Sequence, residues 1–241
     1  MPRPRKSGPA LSLKKPPVQR RAAETFERIL EVAARTLTDV GIDRLSTNLV
    51  CERAGLTPPA LYRYFPNKYA LLVELARRLM LRQNELIPRW MTREVLFGPT
   101  GALQAALQGL VLDTYRVTRD TTAGVWITRA LRAVPALAHV RLQSHDEVTR
   151  TYTQVVHEAF PALDVKEIRL ASRVSVELLY AAVEMLFDEK QMDPQAAAAV
   201  AAAMVGGYLG QLLAKGGHGA RPPRAARKGA PKARAPRTHS R

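Results

Sequence analysis

"VCERAGLTPPALYRYFPNKYALL", Val50 to Leu72, decides how this 241-residue chain folds. It holds three of the five prolines between Gly41 and Gly101, yet the runs on both sides read as helical. Upstream, Phe26, Ile29, Leu30, Ala33, Leu37 and Val40 recur at helical spacing and predict a helix from Ala22 to Val40, ended by Gly41 as a C-cap. Ser46 is an N-cap for a second helix through Ala54. Gly55 stops that helix and Leu56 follows as a buried plug. Thr57 then caps a third helix whose first two positions are Pro58 and Pro59, where the backbone needs no N–H. The double proline therefore starts a helix. That helix is short, ending near Tyr64, with Phe65 and Pro66 closing it. Asn67 caps a fourth from Lys68, which Pro88 is expected to end.

Further out, the same signals predict helices over 100–117, 123–133 and 136–160. Asp164 with Glu167 makes an approximate capping box for a helix reaching Asp188. Asp193 and Pro194 start a last helix, which runs through Gly206–Gly207 to about Ala214. No segment alternates with period two, aromatic residues are only 6%, and Ala, Leu and Arg dominate. The expected fold class is all-α: an N-terminal helix-turn-helix domain of three helices over 22–67, then a larger helical domain over 68–214. Two basic, disordered arms, 1–21 and 215–241, flank them.

Charge supports that division. The net charge of +16 resides wholly in the two arms, which contain no acid, so the body between them is neutral. The arms have too few large apolar residues to offset the entropy of ordering. They read as solubilising tails or as sequence-independent contacts to phosphates. Cys51 is the single cysteine, which excludes an intramolecular disulfide and a cysteine-based zinc site and fits a reducing cytoplasm. The basic N-terminus lacks the apolar core of a secretory signal, and no run of eighteen apolar residues is evident, so no membrane span is expected.

A helix, a glycine turn and a second short helix over 46–64 form the helix-turn-helix arrangement. In it the second helix enters the major groove of a duplex while neighbouring elements hold phosphates. The residue types suit that role. Tyr62 and Tyr64 end in hydroxyls, Arg63 carries a planar fork, and Lys68 stands at a helix N-terminus. No acidic residue occurs between Arg53 and Val73, although residues 22–72 as a whole are neutral.

"ILEVAARTLTDVGIDRLSTNLVCERAGLTPPALYRYFPNKYALL", Ile29 to Leu72, resembles the DNA-binding domain of the TetR family of transcriptional repressors. The shared features are the Gly ending the first helix, the Ala-Gly-Leu turn, Leu-Tyr-x-Tyr-Phe, and a Lys three residues after that Phe. The resemblance implies base-edge contacts from Asn48, Pro58, Pro59 and Tyr62, and phosphate contacts from Ser46, Thr47, Arg63, Tyr64 and Lys68. Ala60 stands where relatives often carry a phosphate-reaching Ser or Thr, and Pro58 where a polar base-reading side chain occurs. Direct readout here would lean on Asn48, Tyr62 and apolar contact with thymine methyls.

The resemblance also implies an effector pocket in the larger domain and a homodimer formed by the last two long helices. Aromatic and basic side chains nominate Phe97, Tyr115, Trp126, Arg129 and Tyr152 for the pocket. For the dimer, the candidates are Val174, Leu178, Ala181, Ala182 and Met185, then Ala199, Ala203, Val205, Gly206 and Leu209. A dimer has a physical reason as well, since one short recognition helix reads too few bases for specificity. Neither a metal nor a catalytic constellation is expected: His139 and His145 share no helix face, and no His-Glu-x-x-His or phosphate loop occurs. The expectation is a non-enzymatic, cofactor-free, cytoplasmic regulator that binds operator DNA and a small molecule and has no membrane association. The alternative is a helical ligand- or partner-binding protein whose basic tails associate with DNA non-specifically.

Overall fold

In the computed structural model, which describes residues 20–217, the chain forms eleven α-helices and no strand among those residues. They are α1 (Arg20–Arg44), α2 (Thr47–Ala54), α3 (Pro58–Tyr62), α4 (Lys68–Asn84), α5 (Ile87–Trp90), α6 (Arg93–Phe97), α7 (Thr100–Asp120), α8 (Gly124–Ala133), α9 (Ala138–Ala159), α10 (Val165–Asp188) and α11 (Pro194–Lys215). A 3-10 turn, Pro135–Leu137, leads into α9.

The local signals act as the sequence predicts around α2 and α3. Gly41 has φ +73 and breaks the regular course of α1, after which one more turn runs to Arg44. The Ser46 side chain accepts the Leu49 amide at the start of α2. Gly55 ends α2 in the left-handed region, φ +61, which costs a glycine little. Pro58 and Pro59 occupy the first turn of α3, and Asn67 caps α4 by accepting the Ala70 amide. Thr57 is extended as a cap residue should be, but its hydroxyl makes no capping bond.

Other boundaries differ from expectation. Helix α4 stops at Asn84, and Pro88 sits in the first turn of the short α5 instead of ending α4. At the arms' inner ends, Arg20 and Arg21 belong to α1, Lys215 is the last residue of α11 and Gly216 caps it; residues 1–19 and 218–241, with His218 and His239, lie outside the described residues. Glu167 does not close a capping box. Its carboxylate accepts from the Lys215 ammonium at 2.8 Å, while Asp164 alone accepts the Lys166 amide.

One apolar core crosses the expected division at 67/68. Phe65 stacks on Phe26 at 5.0 Å, and the same cluster takes in Leu71, Leu72, Leu75 and Leu79 of α4 with Ile127 and Leu131 of α8. Helix α4 is thus the floor of the N-terminal three-helix unit and a wall of the larger domain. A second core lies among α6, α7 and α9–α11. There α11 packs on α7 through small residues: a Cβ on Gly206 would stand 2.8 Å from Gln104, and one on Gly210 would stand 2.9 Å from Thr100. By length and composition α11 could cross a membrane, with mean hydropathy 1.6 over its apolar window, contrary to the expectation that no such run exists. Its alanines and glycines are what allow it to lie so close to α7.

Ion pairs fasten α1 to α4. The Arg78 guanidinium donates two bonds to Glu27, at 2.6 and 2.7 Å, and a third to Glu74 at 2.8 Å. Burial of Glu74 opposes ionisation, but the arginine forks of Arg77 and Arg78 outweigh it and hold the carboxyl below its ordinary value. Hydrogen bonding to Arg78 lowers Glu27 likewise. Arg78→Met should lower stability by about 1–2 kcal/mol at pH 7, modest because Glu27 is largely exposed. Since both folded carboxyls titrate below their unfolded values, the pairing contributes fully above the ordinary glutamate pKa and is lost as the pH falls below it. Urea melts of both proteins at pH 7 and pH 3.5 check this: the gap between them should narrow in acid.

Candidate functional site

The stop-and-start sequence at 54–59 turns α3 across α2 and leaves one face of the pair open. On that face Asn48, Pro58, Pro59, Tyr62 and Arg63 are exposed. Leu61 and Phe65, both fully buried, anchor α3 from behind. Tyr62 is 37% exposed, and its hydroxyl lies 3.0 Å from the Thr47 hydroxyl, which couples the end of α3 to the first residue of α2. The Arg53 guanidinium is paired with Asp39 and reaches Thr36 at 3.5 Å, holding α2 on α1. Ser46 spends its hydroxyl on the cap.

Two expected contact residues sit differently. Tyr64 is only 6% exposed, with its ring edge-on to Phe26 at 5.8 Å, so its body belongs to the core instead of the open face. The cause is spacing: Leu61, Tyr64 and Phe65 stand at i, i+3 and i+4 and turn to one side. The Lys68 ammonium donates to the Ile42 carbonyl at 3.3 Å and lies over the Tyr69 ring. It therefore ties α4 to the end of α1 at the margin of the face. Cys51 is buried in this core, and burial raises its thiol, which leaves it unreactive.

The larger domain encloses a cavity between the end of α4 and helices α7, α9, α10 and α11. With its mouth the space measures about 900 Å³. Of the five side chains nominated from sequence, only Tyr152 lines it. Phe97 packs on Phe160 at 4.8 Å, and Tyr115 stacks on Phe187 at 4.7 Å. Trp126 covers Gly41 of α1, and Arg129 lies over Trp126 while pairing with Asp188 at 3.0 Å. These four seal helix junctions instead. The wall is aliphatic, with Leu103, Leu107, Val111 and Thr114 along one stripe of α7. These four positions recur at i, i+4, i+8 and i+11, one face of a helix.

Cavity and α4 meet directly. Gln83 lines the cavity and donates to the Thr118 hydroxyl at 2.7 Å. Tyr180 also lines it, and its hydroxyl donates to the Asn84 side-chain Oδ1 at 3.4 Å. Behind Tyr180, His145 stacks at 4.6 Å and bonds Glu177 at 3.0 Å, and Glu177 also accepts from Arg141 and Arg173. No group of His, Cys, Asp and Glu suited to a metal occurs among the described residues.

His145 is 1% exposed, and desolvation lowers its pKa against the opposing pull of Glu177. The unfolded chain therefore binds this proton more readily, and the folded state loses stability as the pH falls below about 6.5, the ordinary histidine value. Arg141 and Arg173 repel the protonated ring, Glu177 attracts it, and Tyr180 is uncharged in this range. Replacing it, His145→Gln, should flatten the melting temperature between pH 7 and pH 5, measured by circular dichroism.

Helices α10 and α11 expose an apolar face of Leu170, Val174, Leu178 and Met185 beside Val200, Met204 and Tyr208, with Met204 71% exposed. Ala181, Ala199 and Ala203 are exposed beside them. By contrast Ala182 of α10 is buried, and on α11 Val205 and Gly206 are buried and Leu209 packs inward, because that side of α11 is taken by α7.

Comparison with known proteins agrees with this geometry. Residues 29–75 match the family model described as bacterial regulatory proteins, tetR family. The tetracycline repressor protein class A of Escherichia coli is 39% identical over 85 residues, 33% of this chain and 38% of that protein. An uncharacterised HTH-type transcriptional regulator of Mycobacterium bovis is 32% identical over 108 residues, 44% of this chain and 49% of its own. The chain thus spans less than half the length of these curated relatives. A solved structure described as a SmeT–triclosan complex superposes with a TM-score of 0.56 at 19% identity, covering 76% of this chain and 90% of that one, a likeness of fold. The likeness to the tetR family of bacterial regulatory proteins thus falls on α1 to α4, the elements that carry and support the open face.

Proposed function

We propose that this chain acts as a cytoplasmic, homodimeric repressor that binds an operator through 46–68 and releases it when a small molecule enters the larger domain. The observation that carries the reading is the open α2–α3 face, where Asn48, Pro58, Pro59, Tyr62 and Arg63 stand together in a stretch free of acidic residues. Asn48 and Tyr62 supply hydrogen bonds to base edges, and the two prolines supply apolar contact to thymine methyls. Thr47 and Arg63 face the phosphates and Lys68 stands at their margin, while Ser46 acts by capping α2 and Tyr64 by fixing Phe26 and the base of α3.

A second copy pairs through the exposed face of α10 and α11, where Val174, Leu178 and Met185 meet Val200, Met204 and Tyr208 across a two-fold axis. Two α3 helices then read two half-sites. Release follows from α4. A ligand that displaces Gln83 or Tyr180 pulls on the last turn of a helix whose first turns carry the DNA-reading unit. Such a ligand must favour the released state, because equal affinity for both states moves nothing.

Footprinting of the purified protein on the DNA upstream of its own gene should show one protected, two-fold symmetric segment. Loss of affinity for that segment and for random DNA in parallel as salt rises, with no protected site, would overturn the reading. Two substitutions separate the contacts. Tyr62→Ala should weaken operator binding roughly tenfold and flatten its sequence preference. Arg63→Ala should weaken all DNA alike and reduce the salt slope by about one, measured by fluorescence anisotropy.

A further inference from the structure

The cavity wall is strongly one-sided in chemistry. No charged side chain lines it among the described residues. Its polar groups are mostly engaged elsewhere: the Thr114 hydroxyl donates to the Leu110 carbonyl and the Ser175 hydroxyl to the Ala171 carbonyl, both at 2.7 Å. Gln83 and Tyr180 bond Thr118 and the α4 end, as described. Tyr152 is not engaged: its hydroxyl is shut from water and has no hydrogen-bond partner. A buried hydroxyl left unpaired is costly, and natural structures keep few of them without a purpose. Burial drives the phenol far above its ordinary value, so it stays protonated and able to donate.

The nearby ions do not alter this. Arg141, His145 and Arg173 converge on Glu177 behind Tyr180, and none of the four lines the cavity. A charged ligand would surrender its hydration and find no counter-ion on the wall.

We propose that the effector of this cavity is an uncharged, predominantly hydrocarbon molecule with one polar atom, which the Tyr152 hydroxyl turns to meet on binding. The inference rests on the reading of the larger domain as an effector receptor and names the chemistry it receives.

The test is a calorimetric titration of the purified protein, without DNA, against three probes of equal chain length: 1-decanol, decanoate and decylammonium at pH 7. The alcohol should bind at least roughly thirtyfold tighter than either ion, because only the ions are desolvated without a partner. Tyr152→Phe keeps the ring and the packing and removes only the unpaired hydroxyl. It should melt at the same temperature as the wild type or higher, yet bind 1-decanol roughly five- to tenfold more weakly. An ion bound as tightly as the alcohol would overturn the inference. So would wild-type affinity for 1-decanol in Tyr152→Phe, or no binding of any probe. Because no operator is present, such a failure leaves DNA recognition untouched, and a protein that ignores operator DNA can still pass.

Discussion

The contacts that join the three-helix unit to the walls of the cavity centre on α4. Its first turns are buried under Phe26 and Phe65, where Leu71, Leu72, Leu75 and Leu79 complete the core of the three-helix unit. Its last turn is held by Gln83 on Thr118 and by Asn84 between Ser144 and Tyr180. A helix of seventeen residues packed this closely moves as a piece, because interiors resist deformation. The Arg78 bonds to Glu27 and Glu74 make the upper joint electrostatic as well as apolar. Trp126 against Gly41 adds a second joint, from α8 to the end of α1.

The open α2–α3 face is built with equal economy. Gly55 in the left-handed region, Pro58 and Pro59 in a first turn, and the Asn67 cap reverse the chain direction twice within thirteen residues. Each is a local device needing no distant partner. Only then do long-range contacts matter: Leu61 and Phe65 sink into the core, and Tyr62 and Arg63 are left outside. The Thr47–Tyr62 bond restrains a tyrosine that would otherwise be free to swing.

Local devices are what a sequence displays best, and the stretch from Gly41 to Asn67 was legible for that reason. The all-α class and most long helices were legible from periodicity. The burial of Tyr64 was legible too, from its i+3 spacing to Leu61, but analogy with relatives placed it among the phosphate contacts. The cavity could not be read ahead. It is a space left by helices from five regions of the chain, and no single helix records it. Phe97, Tyr115 and Trp126 looked like ligand contacts because large rings line many pockets, but here each ring fills the gap between two helices. The small-residue run of α11 posed a similar ambiguity: its tightest seam faces α7, and the outward face carries Met204 and Tyr208.

Hydrogen–deuterium exchange with and without a bound cavity ligand tests the role of α4 most directly. Altered protection is expected along 68–84 and onward into 58–65, a segment with no residue on the cavity wall. Changes confined to α7 and α9–α11, with α3 and α4 unaltered at ligand saturation, would contradict it.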